Sequence, residues 1–120
     1  MVFVNLCGDA TRPHEVTLVL DGAHVTVPPS GIVARVSSTA AHTRVVGGMP
    51  VQVPLFGDVV GLPEPDGVSI FIVSGMVLGA LKEAGCRRAD VVAPATSPTD
   101  GAIRNDRGQV VAVTRLNGLV

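Results

Sequence analysis

The stretch "IFIVSGMVLGALKEAG", residues 70–85, decides how the rest of the chain is read. An apolar run with strand character ends in Ser74-Gly75 and passes at once into helical spacing. Met76, Val77, Ala80, Leu81 and Ala84 fall at i, i+1, i+4, i+5 and i+8, which makes one apolar stripe of a helix over about 75–84. Ser74 suits the N-cap, where its oxygen takes up an orphan backbone N–H, and Gly85 suits the left-handed position after the last turn. The same opening also begins a nucleophile elbow or an anion cradle. The elbow needs a glycine two residues either side of the serine, and Ile72 and Met76 stand there instead. A phosphate loop needs a longer Gly-rich turn closed by Lys and then Ser or Thr, which this turn lacks. What remains is a capped helix whose N-terminal N–H groups favour an anion.

Outward from this unit the chain reads as strands. "VFVNL" at 2–6 is a short one, and "HEVTLVLDGAHVTV" alternates on both sides of Asp21-Gly22, a hairpin signature. Pro28-Pro29-Ser30-Gly31 stops that hairpin, and "IVARVSS" predicts a third strand. Residues 38–48 are small, polar and Gly-rich and read as a loop. "MPVQVPLFGDVVGLP" predicts one or two short strands broken by prolines, at a sheet edge. "VSIFIV" is a buried strand, "ADVVAPA" another, and "AIRNDRGQVVAVTRL" a closing hairpin around Asn105–Gly108. The expected fold is a single domain over 1–120. It is α+β and mainly antiparallel β, a small barrel or sandwich of seven or eight short strands with one helix over its open face.

Composition narrows the function. The chain of 120 residues is 47% apolar, with three Phe, no Trp and no Tyr, which argues against aromatic stacking on bases. A net charge of −1 offers no basic footprint for bulk nucleic acid or an anionic membrane. Cys7 and Cys86 are too few and too distant for a disulfide scaffold or a zinc site, so both are expected reduced and packed. Neither a signal peptide nor a membrane span is read, and a cytoplasmic location follows as an expectation.

The candidate binding residues are His14, Arg35, Ser74, Gly75, Arg88, Asp90 and Arg104. Each has a plain structural reading beside the functional one. His14 in "RPHEV" closes a turn or touches a ligand. Arg88 and Asp90 in "CRRAD" form a local salt bridge or aim a guanidinium at a phosphate. Arg35 interrupts an apolar strand and faces solvent or a ligand. Arg104 sits in a turn with Asp106 and Arg107, where solvated charge is the default. His24 and His42 are not at metal spacing with His14, so neither a metal nor a cofactor is expected.

Several stretches, in order, resemble a family of small uncharacterised proteins encoded by tailed bacteriophages, prophages and actinobacteria. They are "VNL", "PHEVTLV", "VPPSGIVARVS", "GLPEPDGVSIFIVS", "RRADVVAP" and "IRNDRGQVVAV", and together they cover nearly the whole chain. The family pattern falls on Asn5, His14, Ser30, Gly31, Arg35, Ser74, Arg88, Asp90, Arg104 and Gly108. This chain departs where "CGDATR" separates Asn5-Leu6 from Pro13-His14, with Arg12 in place of the usual Thr. The resemblance implies a phage setting, in the host cytoplasm or on the virion.

Three functions are then expected in descending order. The first is a homo-oligomeric, non-catalytic binder of a small anionic, nucleotide-like ligand that counteracts host defence signalling. Its motive is the coincidence of the Ser74 helix N-terminus, His14 and three separated arginines. The second is a phage structural or interaction protein without a ligand, self-associating through Pro-flanked edge strands and a Val-rich surface. The third is an enzyme on a nucleotide-like substrate, with His14 as acid–base.

Overall fold

The stretch at 70–85 folds as the middle of a strand–helix–strand unit. The computed structural model describes residues 2–7 and 15–120, with the backbone alone for 38–42 and 53–57. In chain order the elements are β1 (Val2–Asn5), β2 (Val16–Leu20), β3 (Ala23–Val27), β4 (Arg35–Val46), β5 (Met49–Val60), β6 (Ser69–Ile72), α1 (Gly75–Glu83), β7 (Val91–Pro94), β8 (Ile103–Arg104), β9 (Val110–Ala112) and β10 (Leu116–Gly118). β6 and β7 pair in parallel, Phe71 opposite Val91 and Ile72 opposite Val92. Parallel neighbours need a long crossover, and α1 supplies it. β1 joins the other side of β6, also in parallel, and β10 runs antiparallel along β7. The result is an open four-stranded sheet in the order β1-β6-β7-β10.

Three antiparallel pairs, β2–β3, β4–β5 and β8–β9, surround this sheet. Strands make up 45% of the chain beside one short helix, so the fold is α+β and mainly β. Of the expected barrel or sandwich, no closed barrel forms among the described residues: the central sheet is open, with β1 and β10 as its separate edges. Among the described residues there are ten strands, against the seven or eight expected.

The period of two along β6 and β7 divides the core into two layers. Phe71, Val73, Val91 and Ala93 join Leu6 and Ala34 under Val77, Leu78 and Leu81 of α1. Ile72 and Cys7 face the other way, onto Val16, Leu18, Val27 and Val113. The central sheet is thus covered by the helix on one side and by the β2–β3 hairpin with the end of β9 on the other. Each such aliphatic side chain contributes roughly 1.5–3 kcal/mol by leaving water. The buried stripe of α1 is Val77, Leu78 and Leu81, whereas Met76 is 66% exposed and Ala84 is also exposed. Two adjacent stripes satisfy the spacing in this sequence, and the position of the sheet selects one of them.

Both helix ends are closed as expected. Ser74 Oγ accepts from the Val77 N–H at 3.3 Å. Gly85, at φ 79°, lets Cys86 N reach the Leu81 carbonyl at 3.0 Å and its own N–H reach that of Lys82 at 3.1 Å. The hairpin at Asp21-Gly22 takes φ of 49° and 79°, the two positive values that a two-residue primed turn demands.

Residues 38–48 are not a loop. β4 and β5 are strands of 12 residues each, joined by Gly47-Gly48 at φ 58° and 84°. The register runs from Val46 opposite Met49 to Arg35 opposite Val60, with shifts at Val36/Ser38 and Thr39/His42 that mark β-bulges. Near its base the hairpin sends Val36 and Val59 onto the helix-side core. Beyond the bulges it projects as an arm. The radius of gyration is 16.2 Å, against roughly 14 Å for a compact chain of this length. The misreading has a physical cause. An arm that faces no core has no side to alternate towards, and its backbone pairs regardless.

Gly61, which ends the arm at φ 86°, is held tightly: a Cβ there would collide with the Val33 carbonyl. Gly67, at φ 81°, has open space around it. Gly67→Ala should therefore lose only the left-handed backbone cost, about 1–2 kcal/mol. Gly61→Ala should lose that plus about 1–3 kcal/mol of overpacking, read as a lower urea midpoint at unchanged slope. Equal losses at the two sites would contradict the collision.

Candidate functional site

The helix that links the candidate residues also separates them. Ser74 and Gly75 lie at the C-terminal end of β6, and Arg88 and Asp90 lie where β7 begins. Nine helical residues run between the two ends, about 13 Å of rise. At the Ser74 end, Gly75 borders a shallow groove of about 340 Å³ with Leu78, Gly79, Lys82, Asn117 and Gly118. None of the expected arginines lines it.

Arg88 is committed to its own chain. Its Nε donates to Asp90 Oδ1 at 2.9 Å and its Nη2 to Oδ2 at 2.8 Å, a two-pronged ion pair. Nη1 donates to the Pro63 carbonyl at 3.0 Å, and the guanidinium lies 5.8 Å from the centre of the Phe71 ring. The Asp90 carbonyl in turn accepts the Phe71 N–H at 2.7 Å. One guanidinium thereby fastens the turn after α1, the segment after β5 and the start of the parallel sheet. Hydrogen bonding to Arg88 holds the Asp90 carboxyl below its usual value, and the same bonds raise Arg88.

Arg104 is committed likewise. Its Nη1 donates to the Gly108 carbonyl at 3.0 Å and its Nη2 to that of Thr96 at 2.8 Å, clamping the β8–β9 turn to the preceding loop. Arg35 is exposed at the first residue of β4. His14 lies outside the described residues. Of the expected set, the structure joins Arg88 to Asp90 and leaves Ser74 beside Gly75. No hydrogen bond or ion pair among the described residues connects Ser74, Arg35, Arg88 and Arg104 to one another.

The Arg88–Asp90 pair carries a pH signature. A depressed carboxylate adds stability above the unfolded value near 4, and that contribution is lost as pH falls through the folded value. Asp90→Asn should therefore flatten part of the acid limb of the stability curve in chemical denaturation at pH 2–7. Arg88→Ala at pH 7 should cost about 1.5–3 kcal/mol, the range for a hydrogen bond to a charged group. An acid limb identical in wild type and Asp90→Asn would contradict the assignment.

Two further motif residues, buried Asn5 and exposed Ser30, meet at the end of β1. Asn5 is 1% exposed, its Nδ2 donates to the Val27 carbonyl at 3.0 Å, and its Oδ1 accepts from Cys7 N at 2.8 Å. The Asn5 carbonyl accepts from Ser30 Oγ at 2.7 Å and from Ser30 N at 3.1 Å. Cys7, next to it, is buried, and desolvation pushes its thiol up to about 11. It should stay protonated and react slowly with a thiol reagent at pH 8, as expected of a packed cysteine. Because the folded value lies above the unfolded one near 9, its contribution is full below that pH and is lost as pH rises toward 11. Cys7→Ala should remove this alkaline decline in urea melts at pH 8–11. Rapid labelling of Cys7 in native protein would contradict it.

The feature that sequence reasoning missed is the arm. Val45, Val46 and Met49 at its tip are 72%, 53% and 67% exposed. Arg44 is the only charged residue between Thr43 and Gln52. The legible signal was "RVVGGMPV", a two-glycine turn between the apolar residues Val46 and Met49. Among the described residues no cluster of three or more His, Cys, Asp or Glu is placed to hold a metal, and no helix is long and apolar enough to cross a membrane.

The site and fold thus define a mostly β, α+β protein with a projecting two-stranded arm. No family model, curated protein or solved structure matches the chain.

Proposed function

We propose that this chain is a non-catalytic interaction protein that assembles with copies of itself through the β4–β5 arm. The observation behind the reading is the apolar tip, Val45, Val46 and Met49, standing off the body in water. A two-stranded ribbon alone is marginally stable. Its apolar surface adds about 25 cal/mol per Å² only once something covers it. A partner supplies that cover. A ligand-free role fits better than capture of a small anion, because the donors of Arg88 and Arg104 are directed at their own backbone and carboxylate. The resemblance to small tailed-phage proteins makes a phage accessory or structural component the natural setting.

The test is mass against concentration by sedimentation or light scattering. Wild type should grow in mass from the 12.2 kDa chain as concentration rises. A Val46→Asp, Met49→Asp double variant should remain at monomer mass with an unchanged far-UV spectrum, since both positions lie outside the core. Wild type monomeric throughout, or a variant associating equally well, would end the proposal.

A further inference from the structure

The two long edges of the arm differ in the backbone donors they turn outward. β4 and β5 form a two-stranded sheet, so among the described residues each has one edge with no strand beside it. With Gly47-Gly48 as a two-residue turn, Val46 and Met49 are the hydrogen-bonded pair that flanks it. Alternation then turns the N–H groups of the next rung, Val45 and position 50, outward. The same holds two residues on, at the rung of Thr43 and Gln52. Position 50 is proline, so the β5 edge lacks a donor where the β4 edge has the N–H of Val45. A second proline, Pro54, follows on β5, whereas β4 has none from Arg35 to Val46. Proline on an outward position is a common way of closing an edge to pairing. One edge of this arm is closed in that way and the other is open.

We infer that two copies join their arms edge to edge through β4, antiparallel about a two-fold axis, into a four-stranded ribbon β5-β4-β4-β5. This rests on the self-assembly reading and names its surface. The occupant is a second copy because an antiparallel strand edge is its own complement, outward N–H meeting outward C=O about the axis. Charge permits it: the only charged side chain of the distal arm is Arg44, and a register centred on Thr43 keeps the two Arg44 residues out of direct opposition.

Thr43 and Gln52 test this as a matched pair, since they face each other on one rung. Thr43→Pro removes an outward donor from the β4 edge, and Gln52→Pro removes its counterpart from β5. Neither touches a hydrogen bond inside the arm. By sedimentation over a concentration series, Thr43→Pro should self-associate at least tenfold more weakly, while Gln52→Pro matches wild type. A covalent readout guards against a misfolded arm. Under mild oxidation Thr43→Cys should cross-link between copies faster than Gln52→Cys, because the two β5 strands of the ribbon lie about 14 Å apart. Loss of association in Gln52→Pro alone, in both proline variants, or in neither, would overturn the edge assignment, as would equal cross-linking. If Val46→Asp, Met49→Asp still abolishes association in those cases, the arm remains the interface and only its β4 edge is excluded.

Discussion

The structure depends first on one buried amide. Asn5 sits at the end of β1, where the parallel sheet stops and the chain must be tied to the layer beneath. Its side chain takes the Val27 carbonyl at the end of β3 and the Cys7 N–H, and its carbonyl takes both donors of Ser30. An apolar residue here would leave those backbone groups buried without partners, each at a cost of about 1–3 kcal/mol. The Pro29–Ser30 segment continues the sheet edge by a bridge to Asn5, so the β2–β3 hairpin cannot slide along β1. That anchorage holds the hairpin layer in place against the sheet.

Arg88 plays the same part at the far end of the sheet. It lies where α1 has returned the chain to the start of β7, and it bonds Asp90 and Pro63 together over the Phe71 ring. Arg104 closes a third junction, between the β8–β9 turn and the loop before it. Asn5 with Ser30, Arg88 with Asp90, and Arg104 with the Gly108 carbonyl each hold one segment against another. A junction needs fixed geometry, and polar residues with several directed bonds provide it where a short chain has few aromatic side chains to fill the corners.

Among the described residues no buried side-chain polar atom lacks a partner, and what the arm leaves exposed is apolar surface. Beyond the register shifts of β4 and β5 no core lies beneath either face among the described residues, yet the tip carries Val45, Val46 and Met49 in the open. Proline on one edge blocks indiscriminate stacking while the opposite edge stays open. If copies join as proposed, through one usable edge each, that asymmetry closes a dimer instead of a fibre.

Local chemistry was legible wherever short-range physics is decisive. Ser74 and Gly85 marked the ends of α1, Asp21-Gly22 and Asn105–Gly108 marked hairpins, and the Arg88–Asp90 bridge was one of two readings of a close pair. Each depends on residues within a few positions of each other. Tertiary structure alone decided that β6 and β7 pair in parallel, that Leu78 and not Met76 faces the core, and that residues 38–46 extend as a strand. Strand partners, the covered side of a helix and the register of an arm are set by contacts between segments far apart in sequence. Where no core lies against a segment, its side chains keep no period from which its structure can be read.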